Sequence, residues 1–594
     1  MKKKKPKKSN DDAEQFVLIK TIKNNITNVI QTHNKLTHIN NMVIRTNKIV
    51  FHSYQFLKLY LCHLYSENKS FPDINKNFIC LLFQTVSFRK DKRGKPPAKE
   101  NLETLNNLKV FYNLHYKPTT SENIEYDNLT ATLSYESIDM LTNINNNVQE
   151  HFIKHLNKYI NIVFKFKERK DQITKENKDK DVRKKLHQAL YSEFYKIKKD
   201  IVQFGKFESD IQYHEWIKEQ QILLFTYRKS FEKDNIFYEL KSNPQFFLWS
   251  MFYINEQFAI LNLNRLENEK QIRLFNVLPQ RTNIVPKHIC IDTRSLIKNL
   301  IGPKSSHYEK TYHKLNQYYE LWIKVFKLDT KSFKKNNYIF NNMIKTDGVS
   351  CSIIFTKNEQ VEKILHGNKN IQSVLKNQLP AYIEDCNDSK RNELQAMKIV
   401  CADPNYSDLI YCGSKDENGE LETFRYTQNQ RRLETRSKKY SKLKDKINKE
   451  TKIEDKNVKE IETELSLLNS KTCDFEAFKT YCKKKNEINT LLFNHYEQTI
   501  FRKLKLNAYI NTQKSEAKLI NNFKKKFGPP DKTVFIIGDY DKGNHHMKGL
   551  EPVICKKFRD IFKKSGYQTF LVNEFRTSMI CNGCNEKLEH FSLS

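Results

Sequence analysis

Long apolar runs are missing from this 594-residue chain. None reaches membrane-spanning length, so no membrane partner is expected, and the opening MKKKKPKKSNDD lacks the apolar segment of a secretory signal. Paired cysteines are nearly missing too. Of twelve, only Cys581 and Cys584 stand close together, which argues against a disulfide framework and for a reducing compartment. Glycine is scarce at 13 residues, while Lys, Asn and Ile abound. An AT-biased genome explains part of that pattern, so no single lysine carries weight. No internal repeat is present. Acids fall short of bases, 69 against 103, leaving a formal charge of +34 and a pI of about 9.4.

That excess attracts polyanions and drives salt-dependent nucleic-acid affinity. The tail Lys2 to Lys8 holds only a small part of it, so the folded body is basic. KKKKPKK fits a nuclear address. The hydrophobic fraction of 38% is low, but 29 Tyr and 39 Phe supply core volume. The same rings can stack on bases.

The length predicts several domains in a multidomain α+β chain. Residues 1–13 read as a basic disordered tail. Residues 14–280 are mostly helical: Val182 to Ile201 carries apolar residues at three- and four-residue spacing, and SNPQFFLWSMFYINEQFAIL opens on a Ser-Asn-Pro start. Lys165 to Lys184 is charge-dense and reads as a loop or an exposed helix. Over 281–395 the texture changes to short β-branched runs punctuated by Pro286 and Gly348, with a helix over Tyr308–Phe326 between them.

From 396 the order is strand, hairpin strand, strand, long helices, strand, helix, strand. Ile399–Asp403, Leu409–Gly413 and Thr423–Tyr426 predict an antiparallel meander. A basic helical insert follows over about 428–527. Val534–Asp539 and Thr569–Glu574 then flank a helix over Val553–Ser565, and strand–helix–strand implies a parallel pair. This is the strand succession of a ribonuclease-H-like α/β domain with sheet order 3-2-1-4-5. Asp403, Asp539 and Glu574 each end an apolar run. Carboxylates held where buried strands stop are what a metal-dependent nuclease requires.

The phrases FNVLPQRTNIVPKHICIDT, TDGVSCSI, CADPNYSDLIY, FRYTQNQRRLETRSKKY, RKLKLNAYINTQKSEAKLINNF, FGPPDKTVFIIGDY and NEFRTSMICNGC occur in this order over about residues 240–584. In them the chain resembles Fanzor, the eukaryotic RNA-guided DNA endonucleases related to bacterial TnpB and type V CRISPR effectors. The resemblance implies a helical recognition lobe with an N-terminal wedge portion over 14–280 and a small β wedge domain over 281–395. It implies a RuvC nuclease domain over 396–580 and a partial zinc-bearing target-nucleic-acid-binding element over 581–594. The implied partners are a guide RNA (an omega RNA) and double-stranded target DNA, held by a monomeric ribonucleoprotein in the nucleus.

The implied active site is three carboxylates binding two Mg2+ ions. The first maps onto Asp403. The family's Asp-Pro-Gly is Asp-Pro-Asn here, and Asn405 tolerates a left-handed turn nearly as well as Gly. The second acid is normally a Glu on the fourth strand, where this chain has Gly538; a relocated Glu maps onto Glu574. The fifth strand lies two spacings from the first, about 10 Å, so a long Glu arm suits that position. Asp539 is the rival, one strand closer with a shorter side chain. Cys581 and Cys584 map onto half of a zinc site, with His590 in reach as a third ligand by distance along the chain. His545 and His546 read as loop residues. Arg431, Arg432, Arg436, Lys438 and Lys439 are the expected nucleic-acid-binding channel wall.

The family's second Cys pair and its third Asp lie beyond the position of Ser594. Three readings follow: an RNA-guided DNA endonuclease, an RNA-guided DNA-binding protein that does not cut, and a guide-independent transposase or nuclease on the same fold. The large helical block ahead of the nuclease domain disfavours the third.

Overall fold

The computed structural model describes residues 19–90, 99–231, 234–266, 269–302, 315–357, 381–405, 407–539, 555–573 and 586. The chain is multidomain α+β. Among the described residues no helix is long and apolar enough to cross a membrane, and all ten described cysteines are free thiols.

Strand β1 (Ile19–Asn25) precedes the long helix α1 (Leu36–Ser66), which is buried along most of its length. Helix α2 (Thr130–Val163) buries Met140, Ile144, Val148, Phe152 and Leu156 at four-residue spacing, the stripe that lets a helix seal one face of a core. Helix α3 (Lys180–Val202) contains the expected 182–201. Asp179 caps it by accepting from the Asp181 and Val182 amides. The charge-dense segment before it is helical, Phe166–Glu176, with no buried residue. Helix α4 (Leu248–Leu263) follows the 3-10 turn that Pro244 opens.

Strands β2 (Ile289–Asp292), β3 (Tyr338–Thr346) and β4 (Ser350–Lys357) join β1 in an antiparallel sheet of order β1-β4-β3-β2. This sheet shares one continuous apolar core with the helical lobe. Trp322, fully buried, packs edge-on to Phe340 at 5.1 Å and donates its indole N–H to Thr293 at 3.1 Å.

Helix α5 (Asp388–Gln395) leads into strands β5 (Lys398–Asp403), β6 (Asp408–Lys415) and β7 (Leu421–Thr427). The helical insert then comprises α6 (Gln428–Glu434), α7 (Ser437–Glu450), the two-residue strands β8 (Lys452–Ile453) and β9 (Lys456–Asn457), α8 (Val458–Thr463), α9 (Phe475–Tyr496) and α10 (Thr499–Phe527). Strand β10 (Thr533–Gly538), helix α11 (Cys555–Lys564) and strand β11 (Gln568–Val572) complete the described chain apart from Asn573 and Glu586. The second sheet has the order β11-β10-β5-β6-β7. β11, β10 and β5 run parallel, while β5, β6 and β7 form the antiparallel meander.

Helices α10 and α11 cover one face of this sheet. Phe535 and Phe562 stack at 3.7 Å, and Phe523 meets Phe562 edge-on at 4.7 Å, the edge-on pair adding about 0.5–1.5 kcal/mol beyond burial. Leu394 of α5 closes the opposite face over Val534, Ile536 and Phe570. The same packing takes in residues ahead of the boundary expected at 396: Tyr382 bridges to Leu571, and the Leu571 amide donates to the Ala381 carbonyl. The insert is not a free appendage either. Phe478, Tyr481 and Cys482 of α9 belong to the core of the helical lobe, and the buried Lys58 of α1 donates to the Ser470 carbonyl at 2.7 Å.

Candidate active site

β10 is buried on both faces, each of its six residues inside. A strand with neighbours on both edges and helices on both sides must be largely apolar, and VFIIG is, while Thr533 satisfies its buried hydroxyl by donating to the Phe527 carbonyl at 2.9 Å. The chain turns polar only where the sheet ends, at Asp539. β5 alternates instead. Val400 and Ala402 point into the core, while Ile399, Cys401 and Asp403 are exposed on the other face. The last paired residues of these parallel neighbours are Ala402 and Ile537. Asp403 is therefore one residue past the shared pairing and Asp539 two, at the carboxyl ends of adjacent strands.

Asp403 pairs through its backbone with Tyr411 of β6. Its carboxylate has no hydrogen bond or ion pair among the described residues, and partial burial raises it above the ordinary carboxylate value. An acid raised by burial, with no cation beside it among the described residues, is chemically suited to a divalent ion. The following turn closes when the Asn405 amide donates to the Asp408 carbonyl at 3.0 Å. Asn405 is not among the described residues with positive φ, so its tolerance of the left-handed conformation is not drawn on in this turn.

Asp539 is held from two sides. Its amide donates to the Val572 carbonyl at 3.0 Å, and its carboxylate accepts the Tyr382 phenol at 3.1 Å. Beside it, Arg559 of α11 donates to the Gly538 carbonyl at 2.9 Å, and Glu384 accepts from the Asn573 amide at 3.1 Å. Tyr382, Glu384 and Arg559 were not foreseen. Nothing in AYIED or CKKFRDIFKK marks them, because their roles come from packing against strands distant in sequence.

Glu574, Cys581, Cys584, His590, His545 and His546 lie outside the described residues. Among the described residues no group of three or more His, Cys, Asp or Glu is gathered closely enough to hold a metal ion.

The expected channel wall begins just beyond the Asp403 turn, where the Gln428 amide donates to the Ser407 carbonyl at 2.8 Å. Thr427 caps α6 through the Gln430 amide. Arg432, Arg436, Lys438 and Lys439 are exposed and pair with no acid among the described residues. Arg436 has φ 57 and sets the bend between α6 and α7. Arg431 differs from these four in its surroundings. It is largely buried and pairs with Glu516 of α10 at 3.6 Å, because its side chain falls on the helix face that packs inward.

Residues 289–357, which run from β2 to the end of β4, match a family described as a domain of unknown function (DUF8286). No curated protein matches the chain.

Proposed function

We propose that this chain is an RNA-guided DNA endonuclease of the Fanzor kind, with the β5–β11 sheet as a RuvC, ribonuclease-H-like nuclease domain. One observation carries the reading: the sheet order β11-β10-β5-β6-β7 sets Asp403 and Asp539 at the carboxyl ends of neighbouring parallel strands. Asp403 with Glu574, or with Asp539 in its place, would hold the Mg2+ ions, and Cys581 and Cys584 would supply part of a zinc site. Two such ions activate a water and stabilise the leaving oxygen of a phosphodiester. The chain's own part is positional. The ladder to Tyr411 fixes the Asp403 backbone, and Tyr382 and Val572 fix Asp539. The exposed cations of α6 and α7 start beside that edge and suit a nucleic-acid backbone, while base pairing with a guide supplies specificity. Lys2 to Lys8 would direct the protein to the nucleus.

The test is purification of the protein from its host and sequencing of the nucleic acid that comes with it. One structured RNA species with a variable end is the expected result. An RNA-free protein that cuts or binds DNA equally well without a guide overturns the reading.

A further inference from the structure

A second concave site lies away from the sheet edge, where the insert meets the segment before β2. It is a cavity of about 450 Å³ between residues 282–285 and helices α7 to α10. This is within the range of small-ligand pockets. One wall is apolar, built on the small cluster of Val458, Ile461, Ile488 and Leu492. Lys444, Lys485 and Lys505 line it against a single acid, Glu462.

That acid is committed. Glu462 accepts the Tyr496 phenol at 2.5 Å, the phenol oxygen accepts from Asn448 at 2.8 Å, and the Asn448 carbonyl oxygen meets His495 at 3.0 Å. The relay fixes the Tyr496 ring, which lies 5.0 Å from the Phe501 ring. Both rings line the cavity. Burial lowers the pKa of Lys485 and of Lys505, so an anion that restores their charge would be favoured.

Asn489 decides the class of ligand. It lines the cavity at 1% exposure, and neither its amide nitrogen nor its carbonyl oxygen has a hydrogen-bond partner among the described residues. A buried amide left unpaired is costly, and this one, once turned toward the cavity, offers a donor and an acceptor side by side. Such a pair matches the adjacent N6 donor and N7 acceptor of adenine. Aromatic rings offer a stacking surface to any base, and the lysines offer a phosphate its counter-charge.

We infer that this cavity binds one nucleotide, its phosphate toward the lysines, its base against Tyr496 and Phe501, and an adenine edge on Asn489. The nucleotide is either free or one residue of a bound RNA. The site does not depend on the nuclease reading, and its test does not involve cleavage.

The experiment photocrosslinks the full-length wild-type protein with 8-azido-AMP and, separately, with a single-stranded RNA bearing one 8-azidoadenosine. Mass spectrometry then locates the adducts. The expected adducts lie on α9 and α10 peptides containing Tyr496 or Phe501, and AMP competes better than UMP. Labelling by 8-azido-AMP assigns a free nucleotide; labelling by the RNA alone assigns a residue of a bound strand. Asn489→Leu lowers the preference for oligo(A) over oligo(U) by roughly tenfold, and Lys505→Gln weakens both. Adducts confined to other helices, no adduct with either probe, or an unchanged base preference in a folded Asn489→Leu protein overturns the inference.

Discussion

The Tyr382 phenol donates to the Asp539 carboxylate across 3.1 Å, tying the segment before α5 to the residue that follows β10. Asp539 therefore already has a partner, whereas the Asp403 carboxylate has none among the described residues. On the proposed nuclease reading, Asp539 is a supporting acid and Glu574 the second metal ligand. Asp539→Asn is expected to lower Mg2+-dependent cleavage by about 10–100-fold, the usual cost of losing an outer group, and Glu574→Gln to reduce it to background. The reverse ranking, measured on purified ribonucleoprotein, reassigns the site to Asp539.

Asp403→Ala is expected to abolish cutting while guide and target binding stay close to wild type, because phosphate contacts elsewhere set affinity. A second readout needs no cleavage. Mg2+ stabilises whatever state binds it, so adding it should raise the wild-type Tm and leave that of Asp403→Ala unmoved. Equal Mg2+ shifts in both proteins contradict the assignment.

The cations of α6 and α7 divide by their surroundings. Replacing Arg432, Arg436, Lys438 or Lys439 with Gln is expected to reduce the slope of log affinity against log salt by about 1 each, wherever that residue meets a phosphate. Arg431→Gln is expected to leave the slope alone and lower stability, since its guanidinium faces Glu516. Salt titrations of nucleic-acid binding, paired with thermal melts, separate the two kinds.

His52 is fully buried beside the Tyr116 phenol at 2.8 Å, and burial pushes its pKa down to about 3. The unfolded chain titrates this group near 6.5, so between those values the unfolded state holds one more proton. Stability should therefore fall as pH drops from about 6.5 toward 3, by up to about 1.4 kcal/mol per pH unit from this residue. His52→Gln, which keeps a polar group toward Tyr116, should flatten that slope by about one proton in denaturation measured across the range.

Arg502 of α10 is fully buried. It donates to the Asp347 carbonyl at 2.6 Å, the Asn40 side chain at 2.7 Å and the Glu497 carbonyl at 2.5 Å. Gly348 next to Asp347 has φ +84, and a Cβ there would sit 2.8 Å from the Arg502 guanidinium and 2.9 Å from the Asn40 oxygen. Gly348→Ala is expected to cost about 1–3 kcal/mol from strain alone. In a double-mutant cycle with Arg502→Met the two costs should not add, because both disturb one contact.

The second sheet was legible because β5, β10 and β11 are apolar runs that stop at or close to an acid, and β6 and β7 lie either side of a turn. The expected Leu409–Gly413 and Thr423–Tyr426 fall inside the observed β6 and β7. The insert was legible from its length and basic periodicity. β1 and β3 were not read as strands. IKTIKNN has only two apolar residues, and its partner is remote. In YIFNNMIKT the alternation breaks at a bulge between Phe340 and Ile344, with Asn342 at φ 47. A run of basic residues does not say which one its helix turns inward, as α6 turns Arg431 toward Glu516. Tyr382 and Glu384 were invisible for a related reason: a residue that joins a sheet from outside its strands leaves no periodic trace.

The placement of β1 bears on how this protein is made. Ile22 lies opposite Ile353, about 330 residues further along. At ordinary translation rates that interval is on the order of tens of seconds. Through all of it the first strand leaves the ribosome without its mate, and when β4 appears its outer edge is a bare row of amides and carbonyls. A fragment that begins after Asn25 never covers that edge, and an uncovered edge recruits other chains. Tags and cuts near the amino terminus therefore act on solubility through a strand that touches neither carboxylate.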